Sequence, residues 1–317
     1  MALDMVQSNE LMFLNSEYFV RLSYVGHMKI ITTLVLVLSL APSTMHAQGL
    51  VSGWMQGKGR TAAALTGFTE AYSRYYVGQQ QTDNPQLGII TASGVTLYLG
   101  AGITDWLDVV VNVPYVSASS SGGQWETVTG MQDLQAGLKI RPLSTMIDES
   151  RLDVIVGGVY STPISNYTPD SPVTIGHQAS GIEGRIVVQY TTNHGIFLMA
   201  GMGYLARGTV ALDRGFEVDV PDAIESIGRI GWGSALWYSD VWLQNVVSQS
   251  GTNIGPGVSF PSNAQSYTRI GATLAYRVVS DLSVIVGASG TVSGRNVGHS
   301  TRFTLGVAYD LPIWNGI

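Results

Sequence analysis

Apolar and polar side chains alternate with a period of two through most of the chain beyond residue 60. Leu107, Val109, Val111 and Val113 interleave with Asp108, Val110 and Asn112. Leu134, Ala136, Leu138 and Ile140 interleave with Asp133, Gln135, Gly137, Lys139 and Arg141. The same reading holds for Ile270, Ala272, Leu274 and Tyr276 against Arg269, Thr273 and Arg277, and for Phe303, Leu305, Val307 and Tyr309 against Arg302, Thr304 and Gly306. Successive side chains of a strand point to opposite faces, so each segment has one apolar and one polar face. Twelve such segments are expected: 62–78, 87–101, 106–118, 129–142, 151–163, 181–192, 195–208, 223–238, 240–249, 266–278, 281–292 and 300–311.

Two architectures put one apolar face on every strand: a soluble sandwich and a membrane barrel. Composition separates them. Only 12% of the 317 residues are charged, against about 25% in a soluble domain. The hydrophobic share is 45%, with 38 Gly. The chain is thus poor in charge without being rich in apolar residues, as when lipid-facing residues occupy every second position. The net charge of −6 argues against a nucleic-acid partner, and the absence of Cys against a disulfide scaffold.

Connections alternate too. Short polar turns (Gly102–Asp105, Thr191–His194, Tyr238–Asp240, Ser280–Asp281, and the longer Pro142–Ser150) separate long loops rich in Gly, Ser, Asn, Asp and Pro. The long loops are Gly78–Pro85, Ser117–Glu126, Thr162–Ala179, Gly208–Asp222, Ser250–Ala264 and Ser293–His299. Short turns at one end and long loops at the other mark an outer-membrane barrel. The aromatics Tyr75, Tyr76, Trp106, Tyr115, Tyr160, Tyr204, Trp237, Tyr238, Tyr276 and Tyr309 fall near segment ends, where interfacial girdles lie. The expected fold is therefore all-β: a transmembrane antiparallel up-and-down β-barrel of about 12 strands.

Upstream, Met28-Lys29 is a short basic region and Ile30–Leu40 an apolar one. Met45-His46-Ala47 then supplies a small residue before Gln48. That is the anatomy of a secretory signal peptide. The expected organisation is a mis-called extension over 1–27, a signal peptide over 28–47 and the barrel over 48–317. The location that follows is the outer membrane of a Gram-negative bacterium, with the short turns in the periplasm.

With the apolar faces toward lipid, the charged faces line the lumen. They carry Glu70, Arg74, Asp108, Asp133, Lys139, Arg141, Asp153, Glu183, Arg185, Glu225, Arg229, Arg269, Arg277 and Arg302. Mixed signs in a narrow lumen predict pairing, either as a network that fills the barrel or as the wall of a permeation path. Phe197, Met199 and Trp237 are expected to add inward apolar surface. Catalytic signals are weak: His177, His194 and His299 stand apart from any Ser or acid at useful spacing, and no metal cluster or cofactor motif occurs.

Three local patterns carry a resemblance. Gly53-Trp54-Met55-Gln56-Gly57-Lys58-Gly59 opens the mature chain. Tyr98-Leu99-Gly100-Ala101-Gly102-Ile103-Thr104-Asp105-Trp106-Leu107-Asp108 follows, leading to Val113-Pro114-Tyr115. Next comes Gly130-Met131-Gln132-Asp133-Leu134-Gln135-Ala136-Gly137-Leu138-Lys139-Ile140. Together they resemble the outer-membrane barrels of the phenol-degradation meta-pathway family, over about residues 53–311, with the sharp motifs in 53–141. The resemblance implies a barrel and uptake of hydrophobic or aromatic compounds; it brings no site residues with it. Separately, Thr304, Gly306, Tyr309 and Leu311 are similar to the C-terminal signal read by the barrel-assembly machinery.

The function expected is passage or uptake of small, hydrophobic or aromatic solutes without covalent chemistry. The protein would be a monomer whose partners are outer-membrane lipid, the assembly machinery and the solute, with no cofactor. Two alternatives are a closed barrel that binds through its long loops, and a lipid-modifying enzyme.

Overall fold

The computed structural model describes residues 50–83, 86–123 and 125–312. Expectations for residues 1–47 lie outside the described residues.

Among the described residues, twelve long strands form the wall. They are β1 (Arg60–Tyr72), β2 (Ile90–Gly102), β3 (Leu107–Ser120), β4 (Asp133–Ile147), β5 (Ser150–Pro163) and β6 (Gly181–Thr191). Then follow β7 (Ile196–Arg207), β8 (Ala223–Gly233), β9 (Trp237–Ser248), β10 (Ser266–Val279), β11 (Leu282–Arg295) and β12 (Thr301–Pro312). Each strand pairs antiparallel with the next, and β12 returns to β1 from Arg60↔Pro312 to Ala71↔Thr301. The sheet therefore has no edge, as a lipid-embedded backbone requires, because lipid offers its N–H and C=O groups no partner.

The alternation explains the faces. Leu97, Leu138, Ile186, Ile230, Leu243, Ile270 and Leu305 are exposed on the outside, whereas Asp108, Lys139 and Asp153 are buried inside. Outward aromatics gather at two levels. Trp106, Tyr190, Trp232, Trp237, Tyr276 and Tyr309 lie toward the short turns, and Tyr115, Tyr160 and Tyr204 toward the long loops. Pro142, which has no N–H to donate, sits in a bulge: Ile140 pairs with Val156 but Leu143 with Val154.

Two boundaries differ from expectation, and each moves side chains. The first segment stops at Tyr72 rather than running to residue 78. Arg74–Val77 turns back on Gln80–Asp83 as a separate ribbon, so Arg74 is exposed outside the lumen. The eighth segment ends at Gly233, and the turn is Ser234–Leu236, not Tyr238–Asp240. The Ser234 hydroxyl accepts the Trp237 N–H at 3.0 Å and closes that turn. Strand β9 thus starts at Trp237 with its own parity. Trp237 faces outward against Tyr276, with ring centroids 4.5 Å apart, while Tyr238 and Asp240 face inward.

The outward parity predicts a sharp asymmetry. Ile186→Arg, at mid-height of the lipid face, is expected to cost about 2–4 kcal/mol in urea titrations of folding into phosphatidylcholine vesicles. Ser280→Arg, in a short turn, is expected to stay within about 0.5 kcal/mol of the parent.

Candidate permeation path and its internal plug

The lumen holds a segment of the chain itself. Residues 50–57 run inside the barrel before β1 begins, with Val51, Ser52, Met55 and Gln56 buried. Gly57 (φ 82°) and Gly59 (φ 76°) turn the chain from lumen to wall through left-handed backbone that other residues rarely adopt. The approach is close: a Cβ on Gly102 would lie 1.9 Å from the Gly57 carbonyl oxygen, and one on Gly157 2.6 Å from a Val51 methyl. Glycine at these wall positions makes room for the plug.

Polar and apolar contacts anchor it. The Lys139 ammonium donates to the Trp54 carbonyl and, at 3.4 Å, to the Ser52 hydroxyl. It also stands 3.7 Å from Asp108, and both side chains are fully buried. Asp108 in turn accepts the Gln56 N–H at 2.9 Å. Each charge thus has partners on both the wall and the plug, which a buried ion needs to offset its lost hydration. On the opposite wall the Trp54 ring meets the edge of Phe197 with centroids 5.6 Å apart, and Phe197 stacks on Tyr238. Val51 and Met55 join Ile155, Val187 and Met199 in one apolar cluster.

Further charges fall into layers. Near the plug, Asp153 pairs with Arg151 (2.8 Å) and Arg141 (3.8 Å), Arg229 with Asp240 (2.6 Å) and Arg277 with Asp310 (3.3 Å). Toward the long loops, Arg185 bridges Glu183 (2.5 Å) and Glu225 (2.7 Å), and Glu70 holds Arg269 (2.5 Å) and Arg302 (3.5 Å). Asp133 lies inward beside Arg207. Between the layers is a chamber of about 360 Å³ reached by Leu50, Tyr98, Asn112, Gln135 and Trp242.

The outer mouth is also covered. The loop of residues 164–180 packs Tyr167, Val173 and Ile175 onto the inward Ile90, Val116 and Ala118. Its Asp170 accepts the Phe260 N–H at 3.0 Å and pairs with Arg214, and its His177 meets Gln265 at 3.1 Å. Burial, with the Arg207 charge as a lesser cause, pushes the His177 imidazole down to about 4, so it is neutral at physiological pH. Beneath these loops lies a cavity of about 340 Å³ walled by Tyr72, Tyr75, Pro172, Phe260 and Pro261.

Of the fourteen charged residues assigned to the lumen from sequence, Arg74 is the one that lies outside it; of the three apolar ones, Phe197 and Met199 are inward and fully buried, and Trp237 is not inward. Within β12, Thr304 and Gly306 point inward while Tyr309 and Leu311 point out. Arg151, Arg207, Asp240 and Asp310 were missed. Parity alone would have found Arg151, Arg207 and Asp310, whereas Asp240 was hidden by the misplaced turn. The plug has no periodic signal, because it is neither strand nor helix. Among the described residues, none of His177, His194 and His299 hydrogen-bonds through its ring to a serine, threonine or carboxylate.

A family model described as "Putative MetA-pathway of phenol degradation" matches residues 91–306. Among solved structures, an outer-membrane channel from Pseudomonas putida F1 superposes with a TM-score of 0.69 at 12% identity. The match covers 83% of this chain and 100% of that one. The NanC porin gives 0.48 at 9% identity, over 78% of this chain and 100% of that one. No curated protein matches the sequence significantly.

The plug anchor can be broken from the wall. Lys139→Ala leaves Asp108 buried without its cation, which is worth about 3–5 kcal/mol. Because the chain has no Cys, Ser52→Cys is an exclusive reporter. Maleimide labelling of Ser52→Cys is expected to be slow alone and at least tenfold faster with Lys139→Ala, since about 1.4 kcal/mol of lost closure already gives that factor.

The lid should respond to pH through His177. The open loop titrates near the ordinary 6.5 and the closed one near 4, so opening binds the proton. Closure is at full strength above 6.5 and weakens as pH falls toward 4, where the loss levels off. Hydrogen exchange of residues 164–180 is expected to accelerate over that window, after correction for intrinsic rates, and His177→Gln to abolish the dependence.

Proposed function

The chain belongs to the family described as a putative MetA pathway of phenol degradation, and from that premise we propose that it is a gated outer-membrane channel for small solutes. The observation that carries this reading is the plug: a wall-anchored segment of the chain occupies a lumen that otherwise contains a chamber of mixed lining and paired charges. A twelve-stranded barrel is wide enough to enclose more than its own side chains. Its fold likeness to an outer-membrane channel supports the same reading. The apolar cavity beneath the outer loops supports solutes that carry a hydrophobic or aromatic face.

In this mechanism solute enters among the long loops, passes the Glu70 and Arg185 layers and reaches the central chamber. The plug then blocks the exit until its hold on Asp108 and Lys139 is released. No bond is made or broken in the solute. The protein would reside in the outer membrane of a Gram-negative cell as a monomer. The barrel-assembly machinery would read Thr304, Gly306, Tyr309 and Leu311 on the strand that seals the wall.

A second reading, a closed barrel that acts through its outer loops, draws support from the double occlusion of the lumen by plug and lid. Planar bilayers separate the two. For a gated channel, Lys139→Ala is expected to raise conductance at least tenfold over the parent. If neither protein carries current, solute passage is excluded and the loop-binding reading stands.

A further inference from the structure

Three separate parts of the chain wall the cavity beneath the outer loops. Tyr72 and Ile90 come from the outer ends of β1 and β2, Pro172 and His177 from the loop of residues 164–180, and Phe260 and Gln265 from the segment that leads into β10. No Asp, Glu, Lys or Arg is among the described residues that line it. Most of the wall is ring and branched carbon. The Tyr72 ring lies against Gly298, where a Cβ would fall 2.7 Å from its carbons. Among the described residues, cations lie over Phe68, Phe216, Trp242 and Tyr267, not over Tyr72 or Phe260.

One polar pair interrupts this wall. His177 Nε2 stands 3.1 Å from Gln265 Oε1. An amide oxygen only accepts, so Nε2 carries the proton. The neutral imidazole then keeps Nδ1 as an acceptor, and Gln265 Nε2 keeps two N–H donors. Neither nitrogen has a protein partner among the described residues. Other polar side chains of the wall are turned to backbone. The Thr174 hydroxyl donates to carbonyls of its own loop. The Asn296 amide accepts the Gly78 and Ile254 N–H groups and donates to the Thr252 and Ala264 carbonyls.

An acceptor beside donors, in an otherwise apolar and uncharged wall, describes a guest with an apolar body and one group that both donates and accepts. A hydroxyl is such a group. An ether would leave Nδ1 stripped of water and unpaired. A carboxylate would lose its hydration with no cation in the wall to replace it. Arg207, whose charge reaches His177, already faces Asp222, Asp133 and Glu225. Flat rings pack well among Tyr72, Phe260 and the two prolines. An apolar cavity of about 150 Å³ suffices for benzene, so one of about 340 Å³ has room for a substituted ring.

We propose that His177 and Gln265 are the specificity-determining pair of this cavity, which holds an uncharged aromatic alcohol whose hydroxyl donates to His177 Nδ1 and accepts from Gln265 Nε2. The proposal rests on the reading that the lumen carries solutes with an aromatic face, and it adds what selects among them. His177 belongs to the lid and Gln265 does not. The guest therefore bridges lid and wall, and binds the closed form alone.

Hydrogen exchange of residues 164–180, on the full barrel in detergent at pH 7.5, reads this binding independently of flux. Three ligands of matched shape are compared at equal free aqueous concentration: p-cresol, 4-methylanisole and 4-methylbenzoate. At ten times its dissociation constant, p-cresol is expected to slow lid exchange about tenfold. 4-Methylanisole, which lacks the donor, should bind about five- to tenfold more weakly, the scale of one hydrogen bond. 4-Methylbenzoate should give no protection at tenfold higher concentration. His177→Leu and Gln265→Leu should each remove the preference for p-cresol over 4-methylanisole. Equilibrium dialysis reads the same preference in any variant whose lid already exchanges freely. No protection by p-cresol overturns the proposal. So does equal protection by 4-methylanisole, protection by 4-methylbenzoate, or a preference that survives both Leu variants. A barrel that conducts without binding p-cresol fails this test while remaining a channel. One that binds p-cresol without conducting fails only the channel reading.

Discussion

The register between β12 and β1 is the constraint from which the rest follows. A backbone in lipid has no water to satisfy its polar groups, so the sheet must close. With twelve strands the closed wall encloses a space too wide for the wall's own side chains to fill. Something else has to occupy it. Here it is a segment of the chain, paired charges and a residual chamber. The wall's width thus explains both the plug and the ion-pair layers.

Charge placement shows how the lumen tolerates so many ionised groups. Most pairings cross strands: Arg185 reaches Glu225 two strands away, and Glu70 on β1 reaches Arg269 on β10 and Arg302 on β12, while Arg151–Asp153 and Arg185–Glu183 pair along one strand. Such links tie neighbouring parts of the wall together and pair each of these charges with an opposite one. Arg302 also covers the Phe68 ring at 3.7 Å, and Arg229 lies 5.6 Å from the Trp242 ring. Aromatics therefore share the task of holding cations where water is scarce.

Much of the wall was legible in the sequence because a strand's two faces obey a strict parity. Ile270 through Arg277 needed only alternation to be placed correctly. Parity fails where its origin slips. The apolar cluster around Trp237 looked like the end of a strand, yet the chain had already turned at Ser234–Leu236, so Trp237 begins β9 facing outward and Asp240 lies within that strand facing inward. Arg74 failed for a related reason: Ser73 ends β1, and Tyr75 and Tyr76 keep a strand-like pattern in a ribbon that belongs to no membrane. The plug was illegible for a different reason. Its conformation is set by partners 47 to 87 residues away, Asp105, Asp108 and Lys139, and by two left-handed glycines. Within Gly53–Gly59 itself only the density of glycine hints that the chain must bend and pass close to a wall.

That origin gives the plug a property the wall lacks. Wall strands are held by long ladders of backbone hydrogen bonds, whereas residues 50–57 are held chiefly by side chains, one buried ion pair and one aromatic contact. Backbone ladders break only with the sheet. Side-chain anchors break one at a time, and most of these converge on Asp108 and Lys139. A change in that pair's hydration, caused by a solute arriving in the adjoining chamber, would act on the plug's anchors without disturbing any strand. The same separation lets the barrel remain stable while its contents rearrange, which is the physical requirement for a channel that is closed at rest.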